Sequence, residues 1–238
     1  MSAVAPYPVR VEGRLDPQLS RWLWLVKWLL AIPHYVALFF LLIAFLVLTV
    51  VAFFAILFTG RYPRGLFDYN VGVMRWSWRL SFYSSGAFAT DKYPPFTLED
   101  TNYPARLDVE YPEHLSRWLV LVKWLLAVPH LIIVALFVDV TVSSSTQQNG
   151  WASGGAWGLI TILALVAAVM LAFSGRYPQG LFDLLMGLNR WVYRVWAYMM
   201  LMTDEYPPFR LDRGGDDPTT PQDSPGVPSS SVSFEPKE

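Results

Sequence analysis

The chain has no cysteine. That excludes disulfides, thiolate metal centres and cysteine nucleophiles, but fits any redox compartment. Histidine is scarce, at 3 residues, and a formal net charge of −1 gives no global reason to expect nucleic acid, for which no motif is present either. The most informative absence is local. Between Trp28 and Gly60 there is no Asp, Glu, Lys or Arg, and Tyr35–Thr59 is an unbroken 25-residue stretch dominated by Leu, Phe, Val, Ala and Ile. A soluble helix almost never lacks a polar face for that long, whereas hydrocarbon demands it. With 54% hydrophobic residues and 11 Trp, this points to a bilayer protein. No basic-then-apolar leader with a small-residue cleavage site is seen at the start, so the first apolar segment is expected to act as an uncleaved anchor.

What is present is a duplication. YPVRVEGRLDPQLSRWLWLVKWLLAIPH returns as YPARLDVEYPEHLSRWLVLVKWLLAVPH, so Lys27 and His34 correspond to Lys123 and His130. Further on, GRYPRGLFD at Gly60 returns as GRYPQGLFD at Gly175, and DKYPPFTLED at Asp91 returns as DEYPPFRLDR at Asp204. The expected organisation is repeat 1 over residues 1–100, repeat 2 over 101–213 and a disordered tail over 214–238, where Pro, Ser and Asp leave almost nothing to bury. The fold expected is an all-α integral membrane protein with minor β.

Repeat 2 breaks its apolar region with a Ser-, Gly- and Gln-rich loop, 139–156, leaving apolar helices over about Leu119–Val138 and Trp157–Phe173. Mapped back, these predict a transmembrane hairpin of Leu23–Leu41 and Leu42–Phe58 in repeat 1. The hairpin puts all 18 Lys and Arg on one side, which the positive-inside rule makes cytoplasmic, together with both termini. Lys27 and Lys123 would snorkel to the headgroups. A rival arrangement keeps Tyr35–Thr59 as one span, returns through Leu66–Thr90 and lays Leu19–Ile32 on the surface, at the cost of burying Arg75 and Arg79. A third, with three crossings per copy, strands the Tyr-Pro segments on opposite faces.

After GRYP each copy continues as an amphipathic helix. Asp68, Arg75 and Arg79 share a face, and Asp183, Arg190 and Arg194 repeat it. Beside Trp76, Trp78, Trp191 and Trp196, this basic stripe suits the headgroup layer, either as a lipid-phosphate site or as a structural stripe. Period-two alternation predicts four short strands, around Val9–Val11, Leu107–Tyr111, Phe96–Leu98 and Phe209–Leu211, which would tie the copies together in a cytoplasmic sheet.

The series Leu-Ser-Arg-Trp, Lys-Trp-Leu-Leu-Ala-(Ile/Val)-Pro-His, Gly-Arg-Tyr-Pro, Gly-Leu-Phe-Asp, Arg-Trp and Tyr-Pro-Pro-Phe resembles the domain-of-unknown-function 4389 family of bacterial membrane proteins, mostly actinobacterial. The resemblance spans about 7–100 and 103–212. It implies a multi-pass membrane protein and supplies no catalytic residues.

Residues for chemistry are few. His34 and His130 form a candidate intramembrane polar pair, but two His are too few for a closed metal site, and no acid/base spacing or glycine-rich phosphate loop is present. The expectation is a non-catalytic scaffold or accessory subunit in the cell (plasma) membrane, with no cofactor. Its partners would be membrane lipids and a protein bound through the tail. The alternative is transport or lipid handling at a site between the repeats.

Overall fold

The computed structural model describes residues 7–138 and 158–217. They form five helices and a two-stranded sheet, in the order β1 (Val9–Gly13), α1 (Trp24–Thr59), α2 (Arg64–Tyr83), β2 (Ala105–Val109), α3 (Leu119–Phe137), α4 (Leu159–Ser174) and α5 (Gln179–Met199).

The hairpin expected within repeat 1 is not there. α1 runs through Leu41 and Leu42 as one 36-residue helix, about 54 Å long. The physical reason lies in its sequence: FFLLIAFLV contains no Gly, Pro or polar residue to stop a helix, and only a tertiary partner could have forced a turn. Pro33 sits inside the helix without ending it. The Tyr93 hydroxyl donates to the Leu30 carbonyl at 3.2 Å, and in the second copy Tyr206 donates to Leu126 at 3.1 Å, so each proline region is stitched to the Tyr-Pro-Pro segment of its own copy. α1 ends at Gly60, whose φ of 73° is left-handed, and α4 ends identically at Gly175, φ 70°. The short Arg-Tyr-Pro link then starts α2 and α5, each with the carbonyl of its leading proline accepting the first helical bonds.

The offset between the copies is 96 residues at Lys123 and 115 at Gly175, so the second copy carries 19 extra residues between them. They separate α3 from α4, which correspond to the two halves of α1. α5 packs along both, as α2 packs along α1.

β1 and β2 are equivalent strands, one from each copy, and they pair antiparallel about the self-equivalent pair Val11↔Leu107. A local two-fold axis therefore passes through the sheet. Across it the copies exchange partners, because α2 packs on β2 and α5 on β1. The exchange repeats at the helix ends. The guanidinium of Arg117 lies against Gly60 at the end of α1, that of Arg21 lies against Gly175 at the end of α4, and the Leu115 amide donates to the Gly60 carbonyl at 2.9 Å. A cation there complements the negative end of the helix dipole.

The result is layered. The sheet covers one side of α2 and α5, and α1, α3 and α4 cover the other. Phe96–Leu98 and Phe209–Leu211, expected as strands, are irregular; Leu98 and Leu211 pass over Gly72 and Gly187, where a Cβ would meet them within 3.0 Å. Gly214–Asp217, expected to belong to the tail, instead pack along the free edge of β1, with the Gly13 amide donating to the Gly215 carbonyl at 3.0 Å. The remaining tail, 218–238, and the 139–156 loop lie outside the described residues.

Candidate functional site

The basic stripe splits. Arg75 reaches β2 from α2, donating through Nε to the Leu107 carbonyl at 2.9 Å and pairing with Asp108 at 2.8 Å. Its equivalent Arg190 donates through Nε to the Val11 carbonyl of β1 at 3.0 Å, and so holds the other strand in the same way. Arg79 is buried and donates to the Thr97 carbonyl at 3.1 Å and to the Glu99 carbonyl. Arg194 is buried too and pairs with Asp212 at 2.6 Å and Asp217 at 3.0 Å, while Asp217 also faces Arg190 at 3.2 Å and accepts from the Val11 amide at 3.1 Å. Burial pulls the Arg79 and Arg190 guanidiniums below their ordinary range; nearby carboxylates, Asp100 for Arg79 and Asp217 for Arg190, oppose that shift. Arg79, Arg190 and Arg194 thus face carbonyls and carboxylates inside the protein. The two aspartates stand apart from this work. Asp68 is exposed beside Arg64 and Arg75, and Asp183 accepts from Gln179 at 3.0 Å.

His34 and His130 do not meet. Each is buried in its own copy and accepts, at Nδ1, the indole N–H of Trp76 (2.9 Å) or Trp191 (3.0 Å), so the ring proton sits on Nε2. Phe96 stacks on His34 at 3.9 Å and Phe209 on His130 at 4.0 Å. They are duplicated clips between the long helix, the central helix and the Tyr-Pro-Pro-Phe segment. The lysines expected to snorkel are likewise internal. Lys27 is buried, donates to the Thr90 carbonyl and pairs with Asp91, both at 2.8 Å; Lys123 donates to Thr203 at 2.8 Å and pairs with Asp204 at 2.6 Å. Among the described residues no group of three metal-ligating side chains comes together.

What remains open is a seam between α1 and the α3–α4 pair, floored by α2 and α5. One cavity of about 610 Å³ lies between Tyr35, Phe39 and Leu42 of α1 and Ile160 of α4, above Ser77, Ser81 and Tyr193. A second of about 390 Å³ lies between Val50 and Phe54 of α1 and Val120 and Trp124 of α3. Among the described residues, neither is lined by a charged side chain. The outward faces are apolar along their whole length: Trp28, Phe39, Phe40, Val50 and Phe58 on α1, Trp124 and Ile132 on α3, and Phe173 on α4 are all exposed.

The serines of the floor carry no local signal, because each alone is ordinary on a helix. The duplication carries the signal: Ser77, Ser81 and Ser85 correspond to Val192, Trp196 and Met200.

The sequence profile described as "Domain of unknown function (DUF4389)" matches residues 21–97 and 154–210. The chain belongs to this family. The DUF4389 match resumes at 154, near the end of the inserted residues, and takes in α4 and α5 of the second copy, consistent with tandem copies of the domain. No curated protein and no solved structure matches the chain.

Proposed function

We propose that the protein is a non-catalytic membrane scaffold that lies in the plane of the cell membrane, with α1, α3 and α4 sunk in one leaflet and the sheet facing the aqueous side. One observation carries this reading: the exposed large apolar side chains are concentrated on α1, α3 and α4, whereas exposed charges stand on and beside the strands that pack against α2 and α5. α1 is long and apolar enough to cross a membrane. A crossing would, however, set the sheet at mid-depth, because its central pair is held by Arg75 and Arg190 from the middles of α2 and α5. The side chains of Arg106 and Asp108 on β2, and of Glu110 just past its end, are 56%, 62% and 69% exposed. Against hydrocarbon each charge costs about 2.5–3.5 kcal/mol on insertion scales. Lying flat, the body keeps them in water and buries only its apolar side.

Both termini then share the side of the sheet, which we take as cytoplasmic, and the tail is free to act as an arm for a protein partner. This replaces a multi-pass layout with an embedded one.

The absence of cysteine makes the test direct. Single cysteines at Arg14, beyond the start of α1, and at Arg64, just past its end, are labelled in intact cells and in inverted vesicles with an impermeant thiol reagent. The embedded posture predicts that both react only in inverted vesicles. Labelling of one from each side means that α1 crosses, and the proposal fails. A second reading, lipid handling at a site between the copies, is favoured by the seam cavities.

A further inference from the structure

The two copies differ along the larger cavity of the seam. Ser77 and Ser81 on α2, and Ser85 one turn beyond, recur every four residues and line the larger cavity in one stripe. The Ser77 and Tyr193 hydroxyls are 3.1 Å apart, and Asn189 from α5 anchors the same floor through the Gly86 and Leu185 carbonyls. In the other copy the same three positions are Val192, Trp196 and Met200, so the fold itself does not require hydroxyls there. Ser77 and Ser81 are half-buried and share the Tyr193 hydroxyl as partner, and Ser85 is exposed, so the stripe keeps spare hydrogen-bonding capacity along a cleft whose rim is Phe39, Leu42 and other apolar side chains.

We infer that the seam binds a neutral lipid of the acylglycerol class, its ester and hydroxyl oxygens on the serine stripe and its acyl chain along the apolar groove between α1 and α3–α4. Three features select that chemistry. The larger cavity, about 610 Å³, has the size of a small-ligand site. Its floor offers hydroxyls, which donate to ester carbonyls and accept from alcohols. With no Lys or Arg among the described residues that line it, a carboxylate or phosphate entering it would lose its hydration without gaining a counter-charge. The neighbouring cavity of about 390 Å³ gives an acyl chain an apolar continuation along α1. The inference rests on the lipid-handling reading of the seam, and the cleft itself is the same whether α1 lies flat or crosses.

The test uses full-length protein in detergent micelles, so that it does not depend on posture. Photoactivatable diacylglycerol, phosphatidylglycerol and fatty acid, each carrying its reactive group on the acyl chain, are crosslinked to the wild type and to Ser81→Trp. That substitution installs the residue the second copy already holds at the equivalent position, and unfolding temperature is measured alongside. Diacylglycerol is expected to label the α1 segment from Phe39 to Phe54 and the α3 segment around Trp124, and Ser81→Trp to cut that labelling at least tenfold. Ser77→Val, again the residue of the second copy, serves as a second variant should Ser81→Trp unfold. Labelling by diacylglycerol that neither variant reduces overturns the site. Equal variant-sensitive labelling by phosphatidylglycerol or fatty acid overturns the choice of a neutral head. Either result leaves the in-plane proposal standing, since that is judged by cysteine accessibility.

Discussion

At the scale of single residues, the polar groups that looked most like chemistry in the sequence are fasteners. An intramembrane histidine pair would show coupling, whereas two separate clips would not. His34 and His130 share no partner, each having its own Trp, Phe and Tyr. His34→Ala leaves the Trp76 indole N–H buried without an acceptor, a loss of about 1–3 kcal/mol. His130→Ala should cost the same through Trp191, and the double variant the sum of the two, within about 0.5 kcal/mol. Chemical denaturation of the four proteins in one detergent measures this, and a coupling energy above about 1 kcal/mol would mean that the two rings do interact. Asp217 is a sharper case. Its carboxylate is buried between two buried guanidiniums, so Asp217→Asn strips them of their shared counter-charge, at a cost of about 3–5 kcal/mol. Truncation after Arg213 should unfold the protein at least as readily, and truncation after Pro218 should leave its unfolding temperature within a degree or two. Nothing near residue 217 in the sequence singles it out from Asp216, because its partners lie more than twenty positions away, on α5 and β1.

At the scale of elements, what was legible depended on whether a signal was local. The apolar runs, the Gly-Arg-Tyr-Pro corners and the alternating strands are local patterns, and α1 through α5, β1 and β2 follow them. The turn expected near Leu41 was transferred from the second copy, where it is carried by residues that the first copy lacks. Propensity within α1 prevailed. The strands expected at Phe96 and Phe209 fail for a different reason: their alternation serves the close passage over Gly72 and Gly187, a tertiary contact that period alone does not reveal. If α3 and α4 are the halves of an interrupted α1, removing residues 139–157 should restore continuity. The deletion variant is expected to fold, with helical circular dichroism per residue above that of the wild type. A large loss of helix would show that the insert is needed to set α4 on α5. The new junction joins Val138 to Gly158, and a glycine inside the restored helix costs about 1 kcal/mol, small enough for the helix to tolerate.

At the scale of the whole molecule, neither copy is a domain in its own right. Strands, helix caps and arginine clips are exchanged across the two-fold axis, so the halves should unfold together. Buried phenols spread over both copies report on that unity. Burial raises Tyr62 to about 12 and pushes Tyr7, Tyr103, Tyr177 and Tyr193 higher still, whereas in the unfolded chain each ionises near its ordinary value of about 10. A raised folded value means that the folded protein keeps protons which the unfolded chain releases. Their contribution to stability is therefore complete below pH about 10 and is lost as pH climbs through the folded values. For Tyr62 alone the loss is on the order of 3 kcal/mol by pH 12, and the other four add to it. Absorbance of tyrosinate near 295 nm, followed as the pH is raised in detergent, should show the exposed phenols titrating first. A late, cooperative rise should then coincide with the loss of helical circular dichroism. Smooth titration of all 12 tyrosines near pH 10 with the helices intact would show that these phenols are open to water and that the interleaved core described for α2, α5 and the sheet is not closed.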